Sequence, residues 1–196
     1  MKAFAVFLLI ASNAAYAVDH VQNKANYYGN LEKLRLSIEK EKNGKLEEKY
    51  LALFPKTFSK FKTAFGYDEN EANNLYAVHE EHLQLLFSLI DQHPETVVNM
   101  VIEISSDAEW EADAVGIFQN QLATYAANHT CYFARKLIAL SEKERNGVVK
   151  FIADVENYSA YKEFDVIVRN MDSCGYTRLS TALQAAKNSR QPRILH

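Results

Sequence analysis

Only two cysteines, three prolines, six glycines and one tryptophan occur among the 196 residues, and each scarcity removes a class of protein. Six scattered glycines supply no phosphate-binding loop, no GxGxxG fingerprint and no collagen repeat. With two cysteines and no CxxC spacing, zinc-ribbon and thioredoxin-type readings have nothing to stand on. GxSxG is absent, and no SxxK is paired with a second Lys motif, so hydrolase, kinase and dinucleotide readings lose their usual support, and no cofactor is expected. Long apolar runs are missing beyond the N-terminus: Glu, Asp, Lys or Arg interrupts them, and the uncharged stretch 114–134 is broken by Gln119, Asn120, Gln121, Asn128 and His129. Excess charge of either sign is also lacking. With 22 basic and 25 acidic residues the chain has no broad positive field for nucleic acid. Nor does it carry the large net charge and low apolar content of a disordered chain, since 48% of it is hydrophobic.

What is present begins with residues 1–17. Lys2 supplies a positive start, Ala3 to Ala11 an uncharged run, and Ala15-Tyr16-Ala17 small residues at a peptidase site, the pattern of a cleavable signal peptide. The run is too short to span a bilayer as a helix. Residues 18–196 lose only Lys2 among the charged residues and carry −4 against −3 for the whole chain. The expected product is exported, to the periplasm or the cell exterior, with no transmembrane segment. In that oxidising setting Cys131 and Cys174, 43 positions apart, are expected to pair.

Apolar residues recur with a period near 3.6 almost throughout, which predicts an all-α fold. Eight to ten helices are expected within one domain spanning 18–196, as an irregular bundle or a solenoid-like stack, with about 18–30 and 190–196 outside the packed part. Leu31, Leu34 and Ile38 mark a first face, with Asn43-Gly44 as its stop. Tyr50, Phe54, Phe58, Phe61 and Phe65 make an aromatic stripe around Pro55, which is expected in the first turn of a second helix. Leu75, Val78, His82, Leu85, Leu86 and Leu89 form a broad stripe, ended by His93-Pro94. Val97 to Ile104 reads as a short buried helix begun by Pro94. Ser106/Glu109 and Ser141/Glu144 both have capping-box spacing, and the first is expected to open a helix through Trp110 and Tyr125. Cys174-Gly175 closes a helix that holds Phe164, Ile167 and Met171.

Few residues point to chemistry. His79 and His82, three apart on a helix, are candidate metal ligands, although the spacing fits neither HExxH nor HxxEH. Glu109 and Asp113, beside Trp110 and near Asp107 and Glu111, are a candidate carboxylate pair for glycan hydrolysis. Asp68-Glu69-Asn70-Glu71 fails as a calcium loop, because Asn73 and His79 stand where Gly and Glu are required. Lys56, Lys60 and Lys62 among the aromatics of 50–65 describe either a wet helix face or a membrane-surface helix. Tyr67 and Tyr76, flanking Asp68, Glu69 and Glu71, form a candidate acidic, aromatic contact patch for a basic protein. These features favour an exported, non-catalytic helical protein that binds another protein, for instance as an immunity-type inhibitor. The alternative is an exported metal- or carboxylate-dependent hydrolase; a small-ligand carrier is a third reading.

Overall fold

The computed structural model describes residues 26–68, 71–155 and 161–189, without the side chains of Asp68 and Glu71. The signal segment 1–17, residues 18–25 and the tail 190–196 lie outside the described residues. The chain divides into two compact units, one ending at Phe54 and the other beginning at Pro55.

The first unit holds α1 (26–40) and α2 (Gly44–Leu53). Helix α1 begins before Leu31, within the stretch expected outside the packed part. Tyr28 is buried and the Tyr27 hydroxyl donates to the Leu53 carbonyl, so both tyrosines of that first turn are engaged. Asn43-Gly44 does not stop α1. Asn43 is the N-cap of α2, its side chain accepting from Lys45 N at 3.0 Å, and Gly44 is the first helical residue. An Asn beside a Gly serves either end of a helix, and here the side-chain acceptor decides. Arg35 is buried between Glu32 and Glu39, with contacts of 2.6–2.8 Å, a helical i,i+3/i,i+4 arrangement that pairs its charge.

The second unit contains α3 (Phe58–Phe65), a two-residue antiparallel hairpin pairing Tyr67 with Ala72 and Asp68 with Glu71, and a 3-10 turn (Tyr76–Val78). Then follow α4 (His79–Ser88), α5 (Pro94–Ser106), α6 (Ala114–Asn128), α7 (Thr130–Ile138), α8 (Glu142–Ala153), α9 (Lys162–Ser173) and α10 (Thr177–Ser189). Ten α-helices therefore make up the described chain, and the all-α expectation holds. No helix among the described residues is long and apolar enough to cross a membrane.

Pro55 lies ahead of α3, not in its first turn; Thr57 is the cap, accepting from Lys60 N. Gly66 ends α3. On α4 the buried face is His82, Leu83, Leu86 and Leu89 with Ile90, while Val78 and Leu85 are only half-buried. Pro94 opens α5, whose Val97, Val98, Val101, Ile102 and Ile104 are all buried.

The reading of Ser106/Glu109 as a capping box is overturned. Ser106 is the last residue of α5, and its hydroxyl donates to the Glu103 carbonyl. Residues 107–113 form a loop, and α6 starts only at Ala114. Ser141 and Glu144 do make a complete box on α8, with the Ser141 side chain accepting from Glu144 N and the Glu144 side chain accepting from Ser141 N. Cys174-Gly175 ends α9 in a Schellman turn, with Tyr176 N donating to Met171 O and Gly175 N to Asp172 O. Gly175 takes φ +83° there.

Helix α8 packs against α5 and α10, α9 against α6, α7 and α10, and α4 against α6. Phe118 on α6 sits at the hub of an aromatic core, with ring centroids 5.2 Å from Phe61, 6.0 Å from Phe87 and 6.0 Å from Phe151. The α5–α8 crossing is close enough that a Cβ on Gly147 would lie 1.8 Å from the Ser106 carbonyl oxygen. Cys131, at the start of α7, and Cys174, at the end of α9, are joined at a Cα separation of 5.5 Å.

Candidate functional site

The hairpin after α3 and the turn before α4 set Tyr67 and Tyr76 side by side. Their ring centroids are 5.4 Å apart in an edge-on arrangement, the favoured geometry for aromatic quadrupoles. Tyr67 is 53% exposed. Tyr76 is anchored from outside its own segment, since its hydroxyl donates to Asp113 Oδ2 at 3.0 Å. That bond stabilises the neutral phenol beside a carboxylate and raises the Tyr76 pKa above its ordinary value.

The His79 ring lies 5.3 Å from Tyr76, and its Nδ1 is 2.5 Å from the Tyr76 carbonyl oxygen. A carbonyl only accepts, so Nδ1 carries the proton. Tyr67, Tyr76, His79 and Asp113 thus form one aromatic and acidic edge. Of the expected patch, Asp68 and Glu71 pair with each other through the hairpin backbone, next to the Tyr67–Ala72 pair; their side chains, and Glu69 altogether, lie outside the described residues. Asp113 was not part of the expected patch. It belongs to a different loop, and nothing in its local sequence announces Tyr76 as a partner.

The other candidates are arranged differently. His82 is fully buried, with its ring 5.2 Å from Phe65. The Nε2 atoms of His79 and His82 are both shut off from solvent, and no group of three His, Cys, Asp or Glu able to hold a metal occurs among the described residues. Glu109 and Asp113 share no helix face, because both precede α6. Glu109 lines a cleft with Lys150 and Phe151, and another with Phe58 and Tyr67. Asp113 lines a third, with Gln119 and Tyr161. Glu111 is tied to Lys62 at 2.5 Å. Of the expected wet lysine face, Lys62 lies over the Phe58 ring at 5.9 Å.

The loop 107–113 was legible only as a helix start, yet it is where the clefts converge. Trp110 lines two of them. The loop ends on Asp113 with φ 62° and ψ −126°, a strained conformation for a residue with a Cβ. Compared with family models, with curated proteins and with solved structures, the chain finds no match in any of the three.

Proposed function

We propose that the chain is exported and works, without catalysis, by binding another protein through the Tyr67–Tyr76 edge, in the periplasm or outside the cell. The observation that carries this reading is the pair of exposed Tyr67 and half-buried Tyr76, with the second ring pinned to Asp113. Tyrosines lose little side-chain freedom on contact and provide large amphipathic area, so a pre-set pair is a low-cost anchor for a partner. The net charge of −4 for residues 18–196 and the carboxylate of Asp113 favour a basic partner, which charge would steer. A disulfide-distance cysteine pair fits an oxidising compartment. An inhibitor that occludes the basic site of a toxin acting in that compartment is the specific form of this reading.

Affinity capture from periplasmic extract and culture supernatant, with residues 18–196 as bait at low and high salt, tests it. The expected result is a basic protein retained by the wild type, released by salt, and lost from the Tyr67→Ala/Tyr76→Ala variant. For the inhibitor form, the captured protein regains activity when the bait is removed. Capture of nothing above background, or equal capture by the variant, overturns the reading.

A further inference from the structure

Gln121, Tyr125 and Asn128 share one face of α6. Together with Phe87 of α4 and Ile90 just past its end, they line a cleft of about 340 Å³ where α4 packs on α6. That volume is near the lower end for small-ligand sites, with room for one or two rings and not for a chain of them. The cleft shares no residue with the Tyr67–Tyr76 edge.

Its floor is dry and borders carboxylates. Tyr125 and Ile90 are buried and Phe87 is half-buried. Burial first, and then Tyr132, Glu95 and Asp91, push the Tyr125 phenol up to about 12. The phenol is therefore neutral, and an anion placed beside it is repelled by the same carboxylates. Lys, Arg, Asp and Glu are absent from the described residues that line the cleft, so an ammonium group entering it gives up hydration without a direct counter-ion.

Gln121 Oε1 is shut off from solvent and accepts no hydrogen bond from the described residues, although the residue as a whole is half-buried. A desolvated acceptor without a donor is costly. The last torsion of a Gln side chain is soft, and a turn toward the cleft that Gln121 lines lets an N–H group there meet the oxygen. We infer that the α4–α6 cleft binds an uncharged aromatic compound of one or two rings bearing an N–H donor, with Phe87, Ile90 and Tyr125 against the ring and Gln121 accepting from the N–H. This site goes beyond the protein-binding reading and does not rest on it.

Indole is the probe, and three relatives each alter one property: 1-methylindole lacks the N–H, tryptamine adds a cation and indole-3-acetate an anion. Equilibrium dialysis against the purified protein measures all four. Indole is expected to saturate, with 1-methylindole about tenfold weaker and both charged relatives weaker than indole. Gln121→Leu should weaken indole to the level of 1-methylindole and so erase the preference between them. Thr124→Arg, at an exposed position of the cleft, should fill it and abolish indole binding while leaving protein capture unchanged; Tyr67→Ala should leave the indole titration unchanged, so each reading fails separately. The inference is overturned by the absence of saturable indole binding, by equal binding of 1-methylindole, or by a charged relative that binds as well as indole. A preference for indole that survives in Gln121→Leu, or full binding to Thr124→Arg, overturns it too.

Discussion

The Tyr76 hydroxyl reaches Asp113 Oδ2 at 3.0 Å across 37 positions of sequence, and Asp113 is the one non-glycine residue with positive φ among the described residues. The loop before α6 is thus tied to the turn before α4 at its most strained point. Glycine adopts this φ without a Cβ penalty. In a Tyr76→Phe background, where the tie is already lost, Asp113→Gly should stabilise the protein by about 1 kcal/mol through relief of strain. Denaturant midpoints of the single and double variants check this; a double variant less stable than Tyr76→Phe alone counts against it.

Two carboxylates give the fold an acid-sensitive component. Glu95 on α5 is held below the usual carboxylate range, first by its hydrogen bond from Lys136 and then by that from Tyr132, both on α7. Glu144 is lowered by Ser141, through the side-chain and then the backbone donor of the capping box. A depressed folded-state pKa stabilises the fold above the ordinary carboxylate value, and this contribution disappears as pH falls through the lower, folded value. Melting temperatures should therefore fall less steeply with acidification in Glu95→Gln and Glu144→Gln than in the wild type, and the variants should converge with it at the acid end.

Cys131 and Cys174 close a loop of 43 positions, and a cross-link of that span restricts the unfolded chain by about 3–4 kcal/mol. The Cys131→Ser/Cys174→Ser variant should lose stability of that order. Intact mass after alkylation, with and without prior reduction, should show thiols only in the reduced sample. Two alkylated thiols in unreduced native material refute the bond.

Glycines at two helix positions should respond in opposite directions. At Gly147 a methyl group meets the Ser106 carbonyl, so Gly147→Ala should cost about 3 kcal/mol or prevent folding, at the upper end of overpacking. At Gly29, inside α1, nothing lies within 4 Å of an added Cβ. Gly29→Ala should stabilise by about 0.5–1 kcal/mol through backbone entropy. Chemical denaturation reads both.

Periodicity was enough to reveal helices, because a buried face imposes its spacing on the residues that form it. Val97 to Ile104 and Phe164 to Met171 were legible this way, and the Ser141/Glu144 box by its capping spacing. The ends of helices were less so. Ser106/Glu109 has the same spacing as Ser141/Glu144, but α5 runs on until Ser106 bonds back to Glu103, and a four-residue pattern does not encode which end of a helix it occupies. The site was legible only in part. Tyr67 and Tyr76 flank one loop and are paired by it, whereas Asp113 and Trp110 acquire their surroundings from the turn before α4, from α8 and from α9. Hydrophobic spacing carries no record of such tertiary neighbours.

Gln119, which lines a cleft with Asp113, has a consequence for α8. The last carbonyls of a helix lack regular intrahelical donors; Phe151 O accepts from the C-cap Asp154 N, and the Gln119 side chain on α6, 32 and 35 positions earlier, donates to Phe151 O as well and to Asp154 O. The terminus of α8 is therefore closed partly by its own C-cap and partly by another helix. A peptide of residues 141–155 would keep its strong Ser141/Glu144 start but fray at its far end, and within the chain that last turn becomes secure only once α6 has docked against it.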